Sequence, residues 1–171
     1  MHALPEHRDV LSLGHLSSPR DVASVLDNAR RLQRQAQAGE THPLLLRGKH
    51  LGLLCEDDTD ACATLFCRAA LELGAHVAHI RPSASGLATP PDVQRTARIL
   101  GRLYDAVECQ GMPTALVRQL RRDAGVPVYD GIASREHPSA GLADSLGAGG
   151  SPADKRRFVL QAALLQTIAN L

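Results

Sequence analysis

Apolar residues follow two rhythms along this chain. The first has the helical period. Val22, Val25, Leu26, Ala29 and Leu32 recur at three- and four-residue spacing, which predicts a helix from residue 18 to about residue 38. Its start, "SSPRD" at 17–21, puts Ser at the N-cap, Pro at the first helical position and Asp at the third. Gly39 ends it. "GSPAD" at 150–154 repeats that start and opens the last helix, with Phe158, Ala162, Leu165 and Ala169 on one stripe. The second rhythm is a series of short apolar runs: "HLGLLC" (50–55), "HVAHI" (76–80), "DAVEC" (105–109) and "VPVYD" (126–130). These predict strands. Helices are expected between them at 60–73, 91–103 and 114–124. Gly74 and Gly125 stop two of these, and Thr89 before Pro90 and Pro91 starts the third.

Short apolar strands alternating with helices predict a parallel sheet covered on both faces. The expected fold is therefore three-layer α/β/α around a central sheet of four parallel strands. The first helix carries a wide apolar stripe that needs a cover, and the last helix supplies it. The expected organisation is one domain: an α/β body at 1–146, a glycine-rich bridge "GAGG" at 147–150, and a C-terminal helix at 151–171 packing back on the same body. No internal repeat interrupts it.

Composition narrows the function. The chain has 171 residues, 44% of them hydrophobic, enough for a real core. Net charge is +1, from 19 basic and 18 acidic residues, and there is no Arg/Lys run, so nucleic acid is not an expected partner. Aromatics at 2% also argue against a base-stacking surface. No apolar stretch reaches spanning length and "MHALPEHRDV" has no apolar signal core, so no membrane and a cytoplasmic location are expected. Cys55, Cys62, Cys67 and Cys109 form no CxxC pair, which speaks against zinc, and their apolar neighbours suit small buried hydrophobes. No cofactor is expected.

The loop "CEDDTDACATLF" at 55–66 joins a strand to a helix, a natural anion site, yet it carries Glu56, Asp57, Asp58 and Asp60. Asp57, Asp58 and Asp60 are weak candidates for holding Mg²⁺ or Ca²⁺. No spacing matches a calcium loop, so the expectation is no metal, with Asp58 or Asp60 capping the helix and the rest solvated. Cys62, near that helix start, could have a lowered thiol pKa, but a buried structural role is expected. His76 and His79 lie three apart on a strand and face opposite sides, which makes them poor joint ligands. "LRRD" at 120–123, with Arg118, is expected to be a solvated helix face.

Five segments in series, over roughly Asp9 to Leu146, carry a resemblance to one known family. "DVLSLGHLSSPRDVASVLDNARRLQRQAQAG" is similar to the first helix and its lead-in. "LLRGKHLGLLCE" resembles "LxGKxxxxxFxx", and "AALELGAHVAHI" the passage into the second strand. "VQRTARILGRLYDAVECQG" resembles "DTARVLSRYxDAIxxR". "AGVPVYDGIASREHPSAGLADSL" resembles "xxVPVINGxxxxxHPxQxLxDxx". In this order the five segments resemble the N-terminal, carbamoyl-phosphate-binding domain of the aspartate/ornithine carbamoyltransferases. The last helix resembles the family's C-terminal helix, which returns from a second, substrate-binding domain. Here that domain is missing and the bridge rejoins the helix.

The resemblance implies site positions, and most are altered. The family's Ser-Thr-Arg-Thr-Arg phosphate loop falls on Thr59, Asp60, Ala61, Cys62 and Ala63, so one hydroxyl is kept and both arginines are alanine. A further family arginine falls on Gln110. Of His-Pro-x-Gln, His137 and Pro138 remain and the Gln is Ala140. His137 is the relic candidate for the family's carbonyl-polarising role, though without the arginines it is expected to pack or bond a loop. Each lost arginine deletes charge-assisted hydrogen bonds worth about 1.5–3 kcal/mol, and the acids add repulsion toward a dianion. The expectation is a degenerate carbamoyltransferase-like protein without transferase activity, acting as a binding, regulatory or assembly module. The resemblance implies a homotrimer or a carbamoyltransferase partner chain. The alternative is a small-molecule-binding protein or transferase with a remodelled ligand site at the 56–63 loop and His137, where the acids would suit a cationic or metal-bound metabolite.

Overall fold

The structure is a computed structural model, and it describes residues 18–41, 44–84 and 86–169. The lead-in from Asp9 to residue 17 lies outside the described residues, as do 170 and 171.

Both repeated helix starts form the same closure. In α1 (Pro19–Gln37), the Asp21 N–H donates to Ser18 Oγ at 3.2 Å while the Asp21 carboxylate accepts from the Ser18 N–H at 3.1 Å. In α5 (Pro152–Ile168), Asp154 and Ser151 repeat that exchange. Such reciprocal caps satisfy two amide donors that a helix end leaves open. Between them run β1 (His50–Leu54), α2 (Ala61–Glu72), β2 (His76–Ile80), α3 (Pro90–Leu103), β3 (Ala106–Cys109), α4 (Thr114–Ala124) and β4 (Val128–Asp130). A 3₁₀ helix, Pro138–Leu146, follows β4, where no periodicity predicts an element.

The four strands are parallel, in the order β2-β1-β3-β4. β1 is central, with Leu51 paired to both Val77 and Ala106. Its side chains divide the core. Leu51 and Leu53 face the layer built by α2 and α5, while Leu54 faces α3 and α4. The three-layer expectation therefore holds.

α1 lies against α5 and covers it, as its stripe predicts: Val25, Ala29 and Leu32 are buried, and Ser24 Oγ donates to Gln166 Oε1 at 3.0 Å across the pair. The single stripe expected on α5 is corrected. Residues 158–165 are buried all round, because α1, α2 and the 3₁₀ helix enclose that helix together, and Ala169, placed on the buried stripe, is exposed. The bridge uses three glycines with positive φ, Gly147, Gly149 and Gly150, a backbone region L side chains avoid. Gln33 Nε2 holds it by donating to the Gly149 carbonyl at 2.8 Å. Among the described residues no helix is long and apolar enough to cross a membrane.

Candidate functional site

A cleft of about 800 Å³ opens at the C-terminal end of the sheet. Such crevices are the usual ligand positions of open parallel sheets. Its walls come from the first turns of α2 and α5, the loop after β4, and the 3₁₀ helix.

The α2 end is the anion position of the sequence reading, and the chain fills it itself. Asp60 is the N-cap, and its Oδ2 accepts from the N–H groups of Cys62 at 2.9 Å and Ala63 at 3.2 Å. The other acids turn to separate partners. Asp57 Oδ1 accepts from the Thr59 N–H at 2.8 Å and Thr59 Oγ1 at 2.6 Å, bonds that hold the Asp57 carboxyl below its ordinary range. Asp58 faces His79 Nδ1 at 3.5 Å, whose Nε2 bonds the Cys55 carbonyl at 2.6 Å. Glu56 accepts from the Ser83 N–H and hydroxyl, at 2.7 and 2.9 Å. Each of the four carboxylates thus serves its own local partners and they do not converge, which removes the geometric basis for a cationic ligand there. Among the described residues no group of three or more His, Cys, Asp or Glu is arranged to hold a metal ion.

The positions implied by resemblance scatter. Ala61, Cys62 and Ala140 line the cleft. The helix turn carries the Ala63 Cβ into the core, where it is wholly buried, while its N–H stays in the Asp60 cap. Thr59 is tied to Asp57, and Gln110 and His137 do not line the cleft. His137 is buried, and its Nδ1 accepts from the Ser139 N–H at 3.2 Å. Burial, with Arg156 and then Arg121 nearby, lowers its pKa to about 4, so the ring is neutral at neutral pH. Burial first, then Asp60, pushes the Cys62 thiol up, which removes the case for a thiolate.

Two charged groups that no sequence motif marks stand near the cleft, one wholly buried and one half-buried. Glu108, inside the apolar run of β3, is wholly buried; its Oε2 accepts from the Ile132 N–H at 3.3 Å, and burial raises its pKa to about 8. Arg156, in the first turns of α5, donates through Nη2 to the carbonyls of Ile132 and Ser134. Its Nε and Nη1, Glu108 Oε1 and Gln110 Oε1 are buried without a hydrogen-bond partner among the described residues. A charge within an apolar strand was the available signal for Glu108. Arg156 gave none, since "DKRRF" reads as an ordinary helix start.

Residues 8–148 match the profile described as aspartate/ornithine carbamoyltransferase, carbamoyl-P binding domain. The catabolic ornithine carbamoyltransferase of Burkholderia mallei is 38% identical over 138 residues, covering 81% of this chain and 40% of that protein. The ornithine carbamoyltransferase of Actinobacillus pleuropneumoniae is 38% identical over 82% of this chain and 42% of its own length. The chain thus spans about two fifths of these relatives. Among solved structures, the ornithine carbamoyltransferase of Pyrococcus furiosus superposes with a TM-score of 0.64 at 27% identity, covering 74% of this chain and 40% of that one. A mitochondrial ornithine carbamoyltransferase of Coccidioides immitis shares the fold, with a TM-score of 0.66 at 17% identity, over 85% of this chain and 48% of its own.

Proposed function

The chain belongs to the aspartate/ornithine carbamoyltransferase family through its carbamoyl-phosphate-binding domain, and we propose that it lacks transferase activity of its own and serves as a binding, regulatory or assembly module. One observation carries this reading. The α2 amides that would receive a phosphate already bond the Asp60 carboxylate, and Ala61 stands where the resemblance places an arginine. A dianion entering there would displace one anion and meet three more, with no guanidinium on the loop. The four-residue bridge supports it further, taking the chain from the 3₁₀ helix straight into α5 with no second domain between. Assembly as a homotrimer, or with a carbamoyltransferase partner chain, is part of the same proposal, as is a cytoplasmic location.

The test pairs binding with turnover. Carbamoyl phosphate is titrated against the protein while amide resonances of 56–63 are followed, and carbamoyl transfer to ornithine and aspartate is assayed beside a genuine family enzyme. Expected is no saturating shift up to about 10 mM and transfer at background. Saturation below about 1 mM, or transfer above background, would overturn the proposal. Sedimentation of the purified protein reads assembly separately: a strict monomer that also fails to associate with a co-expressed carbamoyltransferase removes that part.

A further inference from the structure

We propose that the cleft between α2, the 3₁₀ helix and α5 binds an organic carboxylate with an apolar body. This rests on the reading that the phosphate position at α2 is lost, and it names the ligand class the remaining cleft suits.

The walls are small and apolar: Ala61, Leu65, Ala133, Ala140, Ala143 and Ala153. Alanine at this density leaves room instead of filling it, and about 800 Å³ falls within the roughly 300–1,000 Å³ of small-molecule sites. The charged lining is unequal. Arg135, Lys155 and Arg156 face it against one acid, Asp144. Neither Arg135 nor Lys155 has a side-chain hydrogen bond or ion pair among the described residues; Arg156 adds its charge, with its Nε and Nη1 buried and its Nη2 bonded to the Ile132 and Ser134 carbonyls. The neighbouring acid does not cancel Arg156: Glu108, with a pKa raised to about 8 by burial, is largely protonated at neutral pH.

Three cations against one acid ask for an anion. An alanine and leucine wall asks for a hydrocarbon body, which water would otherwise solvate at a cost. A phosphate ester is less suited, because its three oxygens need several convergent donors and the α2 amides are already bonded to Asp60. A single carboxylate needs only the guanidinium or ammonium groups, and two parallel N–H donors of an arginine match its two oxygens.

Octanoate is the probe, titrated into the full chain by amide NMR and calorimetry, with octanol and carbamoyl phosphate alongside. Expected for octanoate is saturation at about 1 mM or below, with shifts at Ala61, Leu65, Ala140 and Ala153. Octanol should bind at least tenfold more weakly. Lys155→Gln should weaken octanoate and leave octanol unchanged, and Ala153→Phe should weaken both by filling the cleft. Arg156 also holds the Ile132 and Ser134 carbonyls, so these two variants carry the test instead of it. No shift with octanoate, equal affinity for octanol, or indifference to both substitutions would overturn the inference. Saturating shifts at 60–63 with carbamoyl phosphate would sink the lost-phosphate reading instead, so the two failures are told apart.

Discussion

Asp60 closes the amino end of α2 on itself, its Oδ2 accepting from the Cys62 N–H at 2.9 Å. The donors of an anion site are therefore intact but already used, and the missing elements are charge and vacancy. Restoring both should restore binding. Asp60→Gly removes the capping carboxylate and frees the Cys62 and Ala63 N–H groups at little cost to the helix, and Ala61→Arg adds a guanidinium at an exposed position on the cleft wall. One charge-assisted bond is worth about 1.5–3 kcal/mol, so the double variant should bind inorganic phosphate about ten- to a hundredfold more tightly than the parent. Amide NMR titration of both proteins checks it. An unchanged response would mean that the remaining acids of the loop, not Asp60 and Ala61, set the barrier.

Glu108 makes stability depend on pH in a definite direction. Its folded pKa, about 8, lies above the ordinary value of 4.5, so the folded state holds the proton more tightly than the unfolded chain. The contribution is whole below 4.5 and is lost as pH rises toward 8. His137 runs the other way: lowered from 6.5 to about 4, it favours the folded state above 6.5 and loses that contribution as pH falls toward 4. Urea unfolding midpoints should therefore decline between about pH 6.5 and 8 in the parent and decline less in Glu108→Gln. A parent and variant with parallel profiles would show that Glu108 ionises freely in the folded protein.

The fold was legible because its signals are local. Ser18 with Asp21 and Ser151 with Asp154 each announce a helix within four residues, and the realised caps use those atoms. "AVEC" was equally clear as a strand, since burial of β3 on both faces produces an apolar run. The site was less legible because it depends on which distant segments meet. Nothing near Glu108 in sequence says that the Ile132 N–H will meet it, and nothing near Arg156 says that its Nη2 will hold the loop after β4. Of the positions the resemblance implies, Ala61 and Ala140 line the cleft while the Ala63 side chain is buried, because a motif read as a string does not say which residue the helix turn carries into the core.

Tyr129 and Thr167 join the sheet edge to α5, their oxygens 2.5 Å apart in the buried layer. Thr167 has one hydroxyl proton, and the Ala163 carbonyl at 2.9 Å receives it, so Tyr129 is the donor to Thr167. The two deletions are then unequal. Tyr129→Phe leaves Thr167 bonded to its own helix and should cost about 1 kcal/mol. Thr167→Val strands the Tyr129 hydroxyl away from water and should cost about 1–3 kcal/mol. In the double variant the stranded group is gone, so its loss should fall below the sum of the two. Additive losses in denaturant titration would rule out direct coupling.

Gly101 is the contact point of α3 on α4. A Cβ built there would overlap the Ala124 carbonyl, which lies at the end of α4. Two effects oppose each other in Gly101→Ala. Helix propensity favours alanine over glycine by about 1 kcal/mol in a helix interior. The overlap is with backbone, not with a side chain that could swing away, so the two helices must separate or tilt. Overpacking of this kind costs about 1–3 kcal/mol, and a backbone obstacle places it at the upper end. Separation would also loosen Leu100 and Leu120, which are buried in the same cluster. The clash should win, giving a net loss of about 1–2 kcal/mol in urea unfolding. Ile99→Ala, at a neighbouring exposed position, should move the midpoint little. A rise in stability for Gly101→Ala would mean that propensity dominates and that α3 and α4 tolerate a wider spacing than the glycine permits.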